Sequence, residues 1–399
     1  MRVVGGCWYG HAVKLAVQVR LLPTAAQAAA LAETLHACNA AANRVSQVAF
    51  DTGTTRNYDL RRATYRQVRE TGIGSQAAQH VIKKVADAYT TLRANLRAGN
   101  LGRTGSKRRI RAEGKPIVFR PDAGQPFDQR NLSMAVDAGT VSIWTTRGRC
   151  KDIAFACSTK ARMALTRYPH GESDLLYRDS RWLLLVTVEV PEQPLNEEPS
   201  GFVGVDLGIE NIATTSGGYR AAGRGLNRHR ARQAALRRQL QKKRTKAAKR
   251  VLKRRRRKER RRATDVNHCV SKRIVAEAER TGYGIALEEL TGIRSRVRHR
   301  KPQRAAFHSW AFAQLASFIC YKARRAGVPV VFVDPAYTSQ TCADCGHVSR
   351  LNRVDQALFI CRGCGVVAHA DRNASRNIAH RAAAAWDAGR QSSAPASDP

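Results

Sequence analysis

The chain has 399 residues and a formal net charge of +39 at neutral pH, from 70 Lys and Arg against 31 Asp and Glu. A hydrophobic fraction of 43% excludes a largely disordered chain, and the length allows two or three domains with sizeable cores. The positive charge favours nucleic acid as a partner, because phosphate contacts release counterions. No apolar run reaches transmembrane length and no signal-peptide pattern is present, so we expect a cytoplasmic protein.

The first half of the chain shows a strand, then helices, then many short strands. Residues 12–20 alternate in polarity as a half-buried strand does, and apolar residues at helical spacing predict helices at about 25–50 and 75–97, separated by Arg-rich loops. Short strands between turn signals follow. We predict a small β-barrel and a helical insertion, with the barrel at 1–24 and 111–196 and the insertion at 25–110.

The second half alternates strands and helices. Apolar runs at 202–206, 283–288 and 328–333 predict buried strands. An amphipathic pattern over 307–326 predicts a helix whose aromatic residues pack in the core; its bulky residues are Trp310, Phe312, Leu315, Phe318, Ile319 and Tyr321. A last helix is predicted from about Asp371 to Trp386, and the polar tail 387–399 is expected to be disordered.

Between these strands lies the most basic segment of the chain. From Arg228 to Arg262, 20 of 35 residues are Lys or Arg, and Glu259 is the only acid. Helix-forming residues without Pro or Gly predict a helical hairpin within 228–280. A solvated charged face is the alternative, but unpaired like charges repel, so we favour phosphate binding. The residues expected to bind nucleic acid are Lys253, Arg254, Arg255, Arg256, Arg257 and Lys258. A membrane surface is the competing partner, but the segment contains no Trp or Phe.

Two CxxC pairs with fifteen residues between them predict a metal site. Four thiolates at this spacing are typical of one closed, tetrahedral, structural Zn²⁺ site. The predicted ligands are Cys342, Cys345, Cys361 and Cys364. His369 is a possible neighbour of the zinc, although four thiolates already complete the site.

Three acidic residues lie at the ends of predicted elements: Asp206, Glu288 and Asp371. Carboxylate oxygens suit Mg²⁺ or Mn²⁺, and two such ions roughly 3.5–4 Å apart can activate a water and stabilise the leaving oxygen of a phosphodiester. A lone Asp at a strand end is usually a turn or cap residue, so the prediction depends on the set of three. Strand alternation places Glu288 and Glu289 on opposite faces, so only one of them can face the other acids. The strand pattern alone does not decide which of the two is the metal ligand. Asp334 is a further candidate, but Pro335 favours a turn there.

At these motifs the sequence resembles TnpB, the OrfB protein of insertion-sequence transposons, a mobile-element family of RNA-guided DNA endonucleases that looks ancestral to the type V CRISPR effectors. Residues 204–209 resemble its first RuvC motif, and Leu287–Leu290 resembles the second. Tyr337–Cys342 with Cys345 and Gly346 resembles the start of its zinc motif. Asp371–Ile378 resembles the third RuvC motif.

The resemblance implies a multidomain α+β protein. Its N-terminal wedge-like β-barrel would carry a helical recognition insertion, and an RNase H-like (RuvC) α/β domain at 201–336 and 367–386 would carry an inserted zinc finger at 337–366. The resemblance also implies Asp206, Glu288 and Asp371 as the catalytic, magnesium-binding set, and it favours Glu288 over Glu289.

The function implied is an endonuclease that hydrolyses DNA after a guide RNA pairs with its target beside a short adjacent motif, which the protein reads. The implied partners are guide RNA and double- and single-stranded DNA, with no membrane and with a monomer expected. Two alternatives stay open. One is a non-cleaving RNA-guided DNA-binding repressor, whose signature would be loss of a RuvC acid. The other is a transposase that acts directly on DNA ends without a guide.

Overall fold

The computed structural model describes residues 2–3, 13–290 and 312–393, which form two compact units. One unit contains residues 14–190. The other contains the chain from residue 191 onward together with the N-terminal strand β1 (Arg2–Val3). No helix among the described residues combines the length and the apolar character that a membrane span needs.

The unit of residues 14–190 combines three long helices with a seven-stranded sheet. Its helices are α1 (Ala25–Thr52), α2 (Asn57–Arg69), α3 (Ser75–Arg97), α4 (Lys107–Glu113) and α5 (Thr159–Arg167). Its strands are β2 (Val13–Leu21), β3 (Gln125–Phe127), β4 (Leu132–Ala135), β5 (Thr140–Thr145), β6 (Gly148–Ala156), β7 (His170–Arg178) and β8 (Arg181–Val190). Helices α1 and α3 and strand β2 confirm the predicted elements, whereas α2 lies in an Arg-rich segment that was expected to be loop.

Helix α1 begins and ends at residues suited to those positions. The Thr24 hydroxyl accepts a hydrogen bond from the Gln27 N–H at 3.3 Å, and the Gln27 side chain accepts one from the Thr24 N–H at 2.9 Å. The helix ends at Gly53, whose φ of +68° suits glycine. Small and branched side chains of α1 pack against α2 and α3 in a helical core.

The seven-stranded sheet has the order β3-β7-β8-β2-β6-β5-β4. Its two outermost strands, β3 and β4, are consecutive in sequence and are joined by the short turn 128–131, where the Leu132 N–H donates to the Asp128 carbonyl at 2.9 Å. The sheet is therefore nearly closed, which agrees with the predicted β-barrel in its general form. The prediction was wrong for residues 2–3, because β1 pairs with a strand of the other unit.

The second unit is built on a six-stranded mixed sheet that contains β1, β9 (Phe202–Asp206), β10 (Asn211–Thr215), β11 (Arg220–Ala222), β12 (Gly284–Glu288) and β13 (Val330–Val333). The strand order is β1-β13-β12-β9-β10-β11. Its helices are α6 (Arg224–Lys242), α7 (Lys246–Thr281), α8 (Phe312–Arg325) and α9 (Ala370–Ser393). A two-stranded sheet of β14 (Leu358–Ile360) and β15 (Val367–His369), with a 3₁₀ turn at Arg350–Asn352, lies in the cysteine-rich segment.

Helices cover both faces of this sheet. On β12, Ile285 and Leu287 pack in the core that α7 and α8 form, while Ala286 packs with Ile378 of α9 on the other side. This alternation explains why β12 is apolar up to its last residue, Glu288. Helix α9 crosses β9 at Gly204, where an added Cβ would lie 2.6 Å from the Ala379 nitrogen and closer still to the Ser375 carbonyl oxygen. Only glycine allows this approach without a shift.

Two predictions in this unit need correction. Helix α9 continues to Ser393, so residues 387–393 do not begin a disordered tail; residues 394–399 lie outside the described residues. Of the predicted helix 307–326, the part before residue 312, with Trp310, also lies outside them. Phe318 and Tyr321 are only partly buried, and Phe318 stacks on His268 with ring centroids 4.0 Å apart.

Candidate active site and zinc module

The two parallel strands β9 and β12 place two of the predicted acids side by side. Val205 pairs with Leu287 in the register of these strands. Asp206 and Glu288 follow them directly, so both carboxylates lie at the carboxyl ends of neighbouring strands. Asp371 is the second residue of α9, and the close packing of this helix on Gly204 brings it to the same edge of the sheet.

Each of two acids receives a hydrogen bond from a neutral donor. The Asn211 Nδ2 donates to Asp371 Oδ2 at 2.8 Å, and the Thr338 hydroxyl donates to Glu288 Oε1 at 2.6 Å. The guanidinium of Arg353 lies 3.4 Å from the other Asp371 oxygen, Oδ1. These contacts engage both oxygens of Asp371 and one oxygen of Glu288.

The acids influence one another electrostatically. Burial, followed by the charges of Glu288 and Asp371, raises the pKa of Asp206 to about 8, while Arg353 opposes the rise. Burial also raises the pKa of Glu288, against the Thr338 hydrogen bond and the charge of Arg381. Buried carboxylates that repel each other form a site that a bound cation would stabilise.

The donor set suits hard cations such as Mg²⁺ or Mn²⁺, since it consists of carboxylate oxygens. Within the described residues, the four cysteines are the only set of three or more potential ligands whose donor atoms all lie within 4.8 Å of one another. At least one pair of the three carboxylates is therefore wider apart.

The four predicted zinc ligands lie together, as the spacing of the CxxC pairs predicted. The Sγ atoms of Cys345 and Cys361 are 3.5 Å apart, and those of Cys342 and Cys364 are 3.8 Å apart. Tetrahedral thiolates at about 2.3 Å from Zn²⁺ would be about 3.8 Å from each other. The backbone N–H groups of Gly363 and Cys364 lie 3.3 and 3.4 Å from Cys361 Sγ, where they would stabilise the thiolate that binds metal. The cluster therefore fits a structural zinc.

The three remaining candidates for metal ligands, Asp334, His369 and Glu289, make other contacts. The Asp334 side chain accepts a hydrogen bond from the Ala336 N–H at 2.9 Å, which is the predicted turn role. His369 Nδ1 accepts from the Asp371 N–H at 3.2 Å, and His369 is not in the cysteine group. Glu289 follows the end of β12, and its N–H donates to the Val333 carbonyl at 2.8 Å.

Sequence reasoning missed Asn211, Thr338 and Arg353 at the acidic site. Asn211 lies five residues after Asp206, and Thr338 belongs to the segment that resembles the start of a zinc motif, so both were close to recognised motifs. Arg353, by contrast, is one of 70 basic residues and lies between the two CxxC pairs without any local signal.

The basic hairpin forms as predicted, by α6 and α7. Thr245 caps α7 by accepting the Ala248 N–H at 3.1 Å. Five of the six residues proposed to bind nucleic acid are exposed: Lys253, Arg254, Arg256, Arg257 and Lys258. The sixth, Arg255, is half-buried, and its Nε donates to Gln233 of α6 at 3.1 Å. Arg255 and Arg256 also line a cavity of about 770 Å³ between the helices, with Glu259 paired to Arg237.

Two family models match residues in the second unit and at its border. Residues 312–378 match the family described as "Cas12f1-like, TNB domain", and residues 185–291 match OrfB_IS605, described as a probable transposase. The CRISPR-associated endodeoxyribonuclease Cas12f1 of Sulfoacidibacillus thermotolerans is 46% identical over 114 residues, 28% of this chain and 26% of that protein. A TnpB-like protein of Methanocaldococcus jannaschii is 36% identical over 115 residues, 29% of this chain and 41% of that protein.

These alignments span about a quarter of the first of these relatives and less than half of the second. The fold matches more widely. One chain in the "Cryo-EM structure of the Cas12f1-sgRNA-target DNA complex" aligns with a TM-score of 0.58 over 92% of this chain and 98% of its own length. At 12% identity, this match concerns the fold alone: a multidomain mixed α/β architecture.

Proposed function

We propose that this chain, which its motifs and family matches mark as TnpB-type, is an RNA-guided DNA endonuclease. The observation that carries the proposal is the convergence of Asp206, Glu288 and Asp371 at one edge of a mixed sheet. In this proposal, residues 201–336 and 367–386 form a RuvC-type, RNase H-like nuclease domain, and residues 337–366 form its zinc finger.

The three acids would bind two Mg²⁺ or Mn²⁺ ions. When bound, the ions supply an activated water and neutralise charge on the scissile phosphate. The protein's own groups orient the ligands: Asn211 and Thr338 each fix one carboxylate oxygen. Arg353 adds a positive charge beside Asp371. Four cysteines leave a tetrahedral zinc no open position for water, so the zinc would support folding and take no part in hydrolysis.

Guide RNA and DNA are the proposed partners. The excess charge of +39 and the exposed basic side chains of α7 supply contacts to phosphate that do not depend on sequence. The Cas12f1 structure with the similar fold is a complex with sgRNA and target DNA, and the proposal extends those partners to this chain. Base pairing with the guide would select the target, while the protein would recognise a short adjacent motif.

The test begins with RNA that co-purifies with the full chain. Sequencing should identify one abundant RNA species, and the complex rebuilt with a retargeted guide should cut a matching plasmid in Mg²⁺ but not in EDTA. Cutting without RNA would favour a transposase that acts directly on DNA. Guided binding without cutting, at any divalent ion concentration, would favour the repressor.

A further inference from the structure

We propose that Thr338 is a positioning residue for the Glu288 carboxylate, and that Asn373 and Asn377 make its position depend on the fold of the zinc module. The inference rests on the proposed function, because it concerns how a metal ligand is oriented. It adds residues that lie outside the three acids and the four cysteines.

Thr338 is placed to orient one carboxylate oxygen. Its side chain is buried, and its hydroxyl lies 2.6 Å from Glu288 Oε1 and 3.1 Å from the Pro335 carbonyl oxygen. A hydroxyl has one proton to donate, and a charged acceptor at the shorter distance makes the stronger bond. The hydrogen bond occupies Oε1 and leaves the other oxygen of Glu288 for a cation.

Two asparagines one turn apart on α9 hold the loop that carries Thr338. Asn377 Nδ2 donates to the carbonyls of Thr338 at 2.9 Å and Thr341 at 2.7 Å. Asn373 Nδ2 donates to the Thr341 carbonyl at 2.7 Å, and its Oδ1 accepts the Ala343 N–H at 2.9 Å. Both asparagines are buried, so their amides have little water to replace these partners.

The loop from Thr338 to Ala343 therefore joins three parts of the site. Thr338 at its start contacts Glu288, and Cys342 near its end is a ligand of the proposed zinc. The asparagines that clamp it lie on the same helix as Asp371. Loosening this clamp would misorient Glu288 without removing any ligand of either metal. Groups that orient metal ligands are typically worth about 10- to 100-fold in metal affinity.

The test compares Thr338→Val, which keeps the shape but removes the hydroxyl, with Thr338→Ser, which retains it. Thr64→Val is the matched control, because the buried Thr64 hydroxyl donates to the Leu60 carbonyl within α2 and Thr64 belongs to neither the acidic site nor the clamped loop. Mn²⁺ binding to the zinc-loaded protein is measured by electron paramagnetic resonance, and the signal absent from Asp371→Ala defines the site. Zinc content and thermal unfolding are measured in parallel.

We expect Thr338→Val to weaken Mn²⁺ binding by about 10- to 100-fold with zinc content unchanged. Thr338→Ser and Thr64→Val should stay close to the wild type. Asn377→Asp, which replaces the donor with an acceptor, should weaken Mn²⁺ binding as well. If Thr338→Val does not fold, Thr338→Ala must give the same reduction.

Wild-type Mn²⁺ affinity in a folded Thr338→Val or Thr338→Ala variant would overturn the inference, as would an equal reduction in Thr64→Val. The proposed function fails separately, if the wild-type complex with its guide neither binds Mn²⁺ at this site nor cuts DNA.

Discussion

Gly204 offers the sharpest test of how the fold builds the acidic site. Gly204→Ala adds a Cβ 2.6 Å from the Ala379 nitrogen, where ordinary contacts are 3.4–4 Å, and closer still to the Ser375 carbonyl oxygen. Helix α9 must therefore retreat from β9 by roughly 0.8 Å on the Ala379 contact alone, and by more on the Ser375 contact. Both close contacts are to backbone atoms, which cannot rotate away as a side chain can.

The displacement should affect stability and activity together. Overpacking of this kind typically costs about 1–3 kcal/mol of unfolding free energy. Because α9 carries Asp371 while β9 carries Asp206, the shift also separates two of the acids, and a displacement of about 1 Å in a catalytic site can cost about 100-fold in rate. We expect guided cleavage to fall by about that factor while guide RNA binding stays unchanged.

The assay is single-turnover cleavage of a guided plasmid target, with thermal unfolding measured on the same samples. Gly225→Ala is the matched control, because a Cβ added in α6 meets no atom within 4 Å. Wild-type cleavage and stability in Gly204→Ala would refute the close packing of α9 on β9. An equal decrease in Gly225→Ala would attribute the effect to Gly→Ala substitution in general.

Four further outcomes are expected. Asp206→Ala and Glu288→Ala should abolish cleavage but retain guide RNA binding, whereas Glu289→Ala should retain most cleavage activity. Loss of cleavage in Glu289→Ala with activity retained in Glu288→Ala would instead identify Glu289 as the metal ligand. Metal analysis should find one zinc per chain, and a double Cys→Ser change in the second CxxC pair should reduce both zinc content and cleavage. Neutralising Lys253, Arg254, Arg256, Arg257 and Lys258, the exposed members of the predicted nucleic-acid-binding set, should weaken binding of all nucleic acid sequences alike. The salt dependence of binding should flatten by about 0.7–0.9 log unit for each phosphate that the protein no longer binds, and an unchanged slope would favour a solvated face. The pKa of Asp206 is raised to about 8 in the folded state, so the folded protein holds a proton there that the unfolded chain releases above about pH 4. The metal-free protein should therefore lose stability as pH rises from about 4 through 8, and Mn²⁺ should restore that stability. A melting temperature that rises with pH in the absence of metal would contradict this.

Many of the candidate functional groups of this protein could be predicted from the sequence, because short local patterns identify them. The two CxxC pairs have the spacing of a zinc knuckle, and the four thiols do lie together. Asp206 and Glu288 each follow a short apolar run, which identified two neighbouring strands. The hairpin of α6 and α7 followed from helix-forming composition without Pro or Gly. The three acids as metal ligands remain a prediction.

Predictions from local sequence were wrong at both ends of the described chain. The polar composition after Trp386 predicted disorder, yet α9 continues to Ser393, since its preceding alanines are strong helix formers. The N-terminal strand β1 was assigned to the barrel by its position in sequence. It pairs instead with β13, more than three hundred residues away, and strand pairing over such distances is decided by packing and register.

Only the tertiary structure decided which groups surround the acids. Asn211 donates to Asp371 across 160 positions of sequence, and Thr338 donates to Glu288 across 50. These contacts depend on the parallel register of β9 and β12, and on the clamp that Asn373 and Asn377 place on the loop after β13. The raised pKa of Asp206 likewise arises from burial and from charges that come from distant segments. Sequence spacing determines which chemical groups are available, but their distances, and therefore their energies, are set by packing between segments that no local pattern connects.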